Sequence, residues 1–362
     1  MRDRLPPFAS AHPARTLLLA LSAILAICAL VSMAIGSVGL TLPQVVGVLL
    51  AHIGGGQSAD IAADQIVWNV RMPRTVLAIV TGAGLALAGA VIQAIVRNPL
   101  GDPSLIGVTP GASLGAVMVI VLGSGAAAGL PLTLAAFIGA LVTFVVVFLL
   151  GRSGGRMPPT RLILAGVAVG YLVSSMTYFL QTIATPNQVQ RVLFWSLGSV
   201  GGADWGTLPI PAAIVAIGTL VILQCAPALN ALIGGDDLAA SLGVDVARLQ
   251  ATLLVVVAAM TGALVAVAGG IAFVGLIIPH IARLLVGADH RRMLPLTAVL
   301  GAIFLILADF AARTMRAPAE LPIGVVTAAV GAPFFLWLLT AGPRSSARRR
   351  RGRRAAARTV AG

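Results

Sequence analysis

Lysine is missing altogether from this 362-residue chain, whose 24 basic residues are all arginine. That absence removes the Walker A loop, whose Gly-Lys-Ser/Thr cradles phosphates, and any lysine Schiff base; energy from ATP has to reach the chain through another subunit. Charge of either sign is scarce, at 10% of residues against 59% hydrophobic ones, with a mean hydropathy of +1.02. An ordinary water-facing surface needs about a quarter charged residues, so a soluble domain is excluded and an integral membrane protein is expected. Cysteine occurs twice, at Cys28 and Cys225, in or at the end of apolar runs, which excludes a disulfide framework and zinc-type spacing. No group of His, Met, Cys or carboxylate residues recurs across the apolar runs. A bare transition-metal ion therefore finds no ligand set, and a metal cargo has to travel inside its chelator.

Apolar stretches of spanning length lie at 16–36, 75–96, 104–123, 131–150, 161–183, 208–225, 249–286, 293–312 and 322–341. Gly and Ala are scattered through them without the alternation of a barrel strand, so they read as helices. The first follows Arg2, Arg4 and Arg15 but exceeds the apolar core of a signal peptide, about 7 to 15 residues, and is read as a span. As one helix, 249–286 would be roughly 57 Å long against a hydrocarbon core of about 30 Å. Gly269-Gly270 and Pro279 divide it into 249–271 and a short, irregular 272–287, giving ten spans. Ten return both termini to one side. Five arginines (Arg71, Arg74, Arg191, Arg313, Arg316) then lie outside and the other 19 of the 24 inside, as the positive-inside rule requires.

The stretch GLIIPHIARLLVGADHRR (275–292) carries two histidines, but His280 and the Asp289/His290 pair do not fall at i, i+3 or i, i+4, so a compact metal site is not expected. His280 and Arg283 are expected to orient irregular backbone, and the DHRR cluster to fix a cytoplasmic helix end. A self-comparison aligns TGAGLALAGA (81–90) with TGALVAVAGG (261–270), identical at six of ten positions, in spans that cross in opposite directions. An inverted duplication of spans 2–5 and 7–10 accounts for this, as does the small-residue spacing that close helix packing selects.

Several longer motifs occur in order: RMPRTVLAIVTGAGLALAGAVIQAIVRNPLGDPSLIGVTPGASLGAV, FWSLGSVGGADW, GDDLAASLGVDVARL, FVGLIIPHIARLLVGADHRRMLP and LADFAARTMRAPAELPIGVVTAAVGAPFFLWLL. Over about residues 40–341 the chain resembles the FecCD or BtuC-like permeases of bacterial ABC importers for iron-siderophores, haem and cobalamin. The resemblance implies an all-α type II importer permease of ten transmembrane helices in the cytoplasmic (inner) membrane, with both termini cytoplasmic. It implies a dimer with itself or a paralogue and a substrate-binding protein outside. Two ATP-binding subunits would carry the ATP and Mg, with no cofactor on this chain. Its organisation would be a cytoplasmic segment 1–15, a permease domain 16–341 containing coupling helices 226–248, and an Arg-rich tail 342–362 expected to be disordered. The commonest cargo of the family makes a ferric siderophore the default, haem next and cobalamin the alternative.

Within 226–248, Asp236 or Asp237 can cap a short helix stopping at Gly243 and Asp245 the next. The resemblance carries the ATPase contact over to Leu242, Gly243 and Val244; a solvated connector is the alternative. It likewise places Arg71, Arg74 and Arg313 where cations meet acidic lobes of the binding protein, although arginines at an interface also snorkel. Asp309, the one carboxylate well inside a span, has Arg313 at i+4 and reads as a structural ion pair rather than a proton carrier. Tyr171, Ser174 or Ser175, Tyr178 and Gln181 share one helix face, either a translocation path at the dimer axis or a helix-packing face. An ion-coupled secondary transporter would need a midplane ion site, for which Asp309 is poor. RRRRGRR beside the last span reads as topology or contact with anionic lipid, not nucleic-acid binding.

Overall fold

A computed structural model describes residues 11–341 except positions 37, 127, 128 and 155, so most of segment 1–15 and all of the tail 342–362 lie outside the described residues. The first half contains α1 (Ala11–Ala34), α2 (Leu42–Ile53), α3 (Ile61–Asp64), α4 (Met72–Val96), α5 (Val108–Ala126), α6 (Leu132–Gly151), α7 (Pro159–Thr182) and α8 (Pro186–Ser196). The second contains α9 (Pro209–Gln224), α10 (Ala226–Leu232), α11 (Asp236–Ser241), α12 (Val246–Ala268), α13 (Val274–Val286), α14 (His290–Thr314) and α15 (Ile323–Ala341). No strand occurs among the described residues.

The ten expected spans correspond to α1, α4, α5, α6, α7, α9, α12, α13, α14 and α15. Among the described residues six helices are long and apolar enough to cross a membrane, seven if α9 and α10, bent by 57°, count as one. The other three, α5, α13 and α15, have shorter apolar lengths. At 13 residues α13 reaches only about 20 Å. The division of 249–286 falls where the glycines allow it: α12 ends at Ala268, Gly269 takes φ +70°, and α13 starts after Phe273.

Helix α4 is the centre of the bundle. A Cβ on its Gly82 would lie 2.1 Å from the Gly301 carbonyl oxygen of α14, and one on Gly89 would lie 1.9 Å from the Gly275 oxygen of α13. Only glycine lets these backbones touch. The packing also follows the internal repeat: α4 packs on α13 and α14, while α12 packs on α5 and α6. Each first helix of a repeat thus lies against the second and third helices of the other, as a two-fold relation in the membrane plane demands. The aligned Thr81 and Thr261 are both 1% exposed, and neither hydroxyl has a hydrogen-bond partner among the described residues.

Shorter elements cover the end of the bundle where α4 begins. Following the arginine distribution, we name this end outer and the α10–α11 end inner. Helix α2 buries Val45 and Val48 in a small core with Met33, Ala34, Ala63 and Val67. A π-helical stretch, Gln65–Arg71, carries the chain from α3 into α4 without interruption. Helix α8 starts with a Thr185/Gln188 capping box, and Gln188 Nε2 donates to the carbonyls of Ile120 and Val121 in α5.

Candidate functional site

Three groups of expected site residues lie at three places: the outer end, one face of α7, and the inner end. At the outer end Arg71, Arg74, Arg313 and Glu320 line a cavity of about 350 Å³, with Asp309 buried behind Arg74. Each guanidinium is already engaged. Arg71, expected to face a partner, turns inward and is 7% exposed. Its Nη1 donates to the carbonyls of Met33 (2.6 Å) and Ala34 (2.9 Å), and its Nη2 to Val38. It thereby neutralises the carbonyl end of α1, whose last acceptors have no intrahelical donors.

Arg74 forks onto two carboxylates. Its Nε and Nη2 reach Asp309 Oδ1 at 3.0 and 2.8 Å, and its Nη1 and Nη2 reach Glu320 at 2.8 and 2.9 Å. Arg313 Nε lies 3.2 Å from Asp309 Oδ2 without hydrogen-bond alignment, while its Nη2 donates to Ser32 Oγ at 2.8 Å. Asp309 therefore sits between two arginines, not one, and the i+4 pair is half of a larger cluster. Its side chain is 3% exposed, whereas that of Glu320 is 46% exposed. The hydrogen bonds from Arg74 hold the Glu320 carboxyl below the usual glutamate range, against a burial effect of opposite sign. Three guanidiniums face two carboxylates, so the cluster carries one excess positive charge. Glu320 was not anticipated; its only signal was an acidic residue in the short PAELP turn.

On α7, Tyr171, Ser175 and Tyr178 are exposed and Ser174 and Gln181 half-exposed, in one stripe left uncovered among the described residues. Ser175 Oγ donates to the Tyr171 carbonyl at 2.9 Å. The outward side chains of α6, by contrast, are Leu134, Ile138, Val142, Val145, Val146, Leu149 and Leu150, all aliphatic.

At the inner end, α10 and α11 form the segment expected at 226–248, with Leu242 65% exposed, Val244 half-buried and Gly243 open at φ +84°. The capping differs from expectation. Gly235, at φ +105°, is the N-cap of α11, and Asp236 and Asp237 lie in its first turn without capping bonds. An extended entry with positive φ suits glycine, and the Asp236 carboxylate is drawn away to Arg97. Asp245 does cap α12, accepting from the Arg248 N–H at 3.0 Å.

The broken helix α13 is held by a residue the sequence reading did not single out. Gln93 of α4 donates to the carbonyls of Gly275 (3.1 Å) and Leu276 (3.2 Å) and accepts from Arg283 Nη2 at 3.0 Å. Arg283 thus orients the irregular backbone through Gln93. His280 does not; it lies edge-on to Phe334. His290 is buried, with Nδ1 2.8 Å from Asn230 Oδ1.

Comparison with known proteins agrees with this architecture along nearly the whole chain. The model of the FecCD transport family matches residues 24–341. The chain is 42% identical over 277 residues to the cobalamin import system permease protein BtuC of Halobacterium salinarum, covering 76% of this chain and 74% of that protein. It is 41% identical over 287 residues to the vitamin B12 import system permease protein BtuC of Salmonella paratyphi A, covering 79% and 87% respectively. Among solved structures, one described as an inward-facing ABC transporter of metal-chelate type superposes with a TM-score of 0.79 at 33% identity, covering 90% of this chain and 99% of that one.

Proposed function

The chain belongs to the FecCD transport family and is a permease of an ABC importer, and from that premise we propose that its cargo is a corrinoid of the cobalamin type. What carries this reading is that relatives 40–42% identical over about three quarters of the chain bear cobalamin or vitamin B12 names. A cobalamin is itself a metal chelate, so the metal-chelate description of the solved relative supports the same cargo. The siderophore default of the sequence reading has no comparable support and moves to second place. The α7 stripe suits such a cargo, offering hydroxyls and aromatic faces to a large ring system instead of ligands to a naked ion.

The assembly we propose is a pair of permease chains meeting along α7, with α10–α11 seated on ATP-binding subunits that hold the ATP and Mg. Both chain ends lie on the cytoplasmic side of the cell membrane. A substrate-binding protein docks at the outer cluster, where a carboxylate of that protein displaces Glu320 from Arg74, while Arg313 offers a second cation and Arg71 holds α1 in place. Arginine suits this exchange because its planar fork accepts a new carboxylate on the edge the old one leaves.

The test is uptake into vesicles containing the complete importer with its own binding protein, offered cyanocobalamin, a ferric siderophore and haem in turn. Saturable, ATP-dependent accumulation of cyanocobalamin alone is expected. Accumulation of the siderophore or haem with none of cyanocobalamin would overturn the assignment of cargo and leave the family membership intact.

A further inference from the structure

Helices α4 and α14 run antiparallel and are joined at three levels. At the outer end Arg74 of α4 grips Asp309 of α14. In the middle the backbones meet at Gly82 and Gly301. At the inner end the α10–α11 segment is tied to both. Asp236, in the first turn of α11, pairs with Arg97, the residue that closes α4. Asn230 of α10 donates to Asp289 Oδ1 at 2.7 Å, and its own Oδ1 accepts from the His290 N–H at 2.8 Å, at the first turn of α14.

Arg97 stands in the left-handed conformation, φ +52°, at a helix end where glycine or asparagine is usual. An arginine held there against its backbone preference is explained by what its side chain reaches. Helix-terminal charge alone would account for Asp236, which lies in the positive first turn of α11, but not for the presence of Arg97 opposite it.

We propose that Arg97, with Asp236 and Asn230, is a positioning residue that makes the α4–α14 pair move as one body with the α10–α11 segment. Displacement of that segment by the ATP-binding subunits then reaches the Arg74–Asp309–Glu320 cluster about 30 Å away across the bilayer core. Linkage makes the effect reciprocal: a protein bound outside biases the position of α11 inside. This rests on the reading of 226–248 as the ATPase contact.

The experiment uses the whole importer in proteoliposomes, comparing cargo taken up per ATP hydrolysed and the stimulation of hydrolysis by the binding protein. Arg97→Gln is expected to assemble and hydrolyse ATP, with cargo per ATP and stimulation each reduced about fivefold, equivalent to ~1 kcal/mol of lost coupling. Asp236→Asn removes the pair from the other side without touching the strained residue and should do the same. The exchange Arg97→Asp with Asp236→Arg should recover most of the loss. An unchanged ratio in both single variants, or a double variant no better than the singles, overturns the proposal. Leu242→Asp separates this from the underlying reading: if it blocks binding of the ATP-binding subunits while both single variants stay coupled, the strut fails and the contact stands. If Leu242→Asp assembles normally, the contact fails and the strut with it.

Discussion

Arg74 holds one carboxylate that is 3% exposed and another that is 46% exposed, and the two bonds should respond differently to change. Asp309→Asn leaves the buried guanidinium of Arg313 without a counter-charge and Arg74 with only the half-exposed Glu320, a loss of about 3–5 kcal/mol that thermal unfolding of the purified permease would register. Glu320 is half in water, so its pair contributes no more than about 1 kcal/mol. Its pKa is lowered in the folded chain, chiefly by the Arg74 hydrogen bonds. That contribution is present above the ordinary glutamate pKa and is lost as pH falls through the depressed value. Wild type should therefore lose thermal stability on the acid side more steeply than Glu320→Gln, in parallel scans against pH; identical slopes would remove Glu320 from the cluster's energetics. Thr81 and Thr261 make the opposite case, because their buried hydroxyls satisfy nothing. Replacing either with the isosteric valine should be neutral or stabilising, by up to about 1 kcal/mol, since no bond is lost and a buried polar group is removed. A loss above that in thermal unfolding would mean that each hydroxyl has a partner in the membrane, such as a bound water.

Among the elements, those that hydropathy can detect were read closely. Gly269 and Gly270 marked the break between α12 and α13 because a spanning length had been exceeded, and the observed boundary follows. What a search for spanning lengths does not detect is a short element. Helix α2 is apolar but only 12 residues long, α8 has 11 and buries only Val192, and the π-helical entry to α4 runs for only 7. That entry turns Arg71 inward, which is why a cation expected on the docking surface became a cap on α1. The role of Gln93 was equally hidden, since a glutamine in an apolar helix shows its use only when the carbonyls of a broken neighbour lie beside it. Its near-isosteric replacement Gln93→Leu leaves the Gly275 and Leu276 carbonyls and Arg283 short of partners, at about 1–3 kcal/mol for each group stranded. The variant should unfold at lower temperature in detergent, whereas Gly47→Ala, which meets nothing within 4 Å, should not.

For the whole molecule, the exchange of contacts between the two repeats resolves what the short TGA match left open, because chance similarity of small-residue helices does not make α4 and α12 pack on corresponding partners. The same scale bears on what covers α7. A face turned to lipid has little use for the hydroxyl of Tyr171, halfway along α7, and α6 shows what such a face looks like here: leucine, isoleucine and valine throughout. The 74% exposure of Tyr171 and 66% of Tyr178 supports the proposed pairing along α7, where they would meet a second chain or a water-filled path. This predicts a specific geometry in the membrane. With Cys28 and Cys225 replaced by serine, a cysteine introduced at Ser175 should form a disulfide-linked dimer under mild oxidation. One at Ile217, 63% exposed on α9, should not. A disulfide needs Cα atoms within about 7 Å, so cross-linking at 175 reports close approach of two α7 helices near their axis and not mere proximity of two proteins. Cross-linking at 217 with none at 175 would put α9 at the interface and turn the tyrosine stripe toward lipid, and the path along α7 would have to be abandoned.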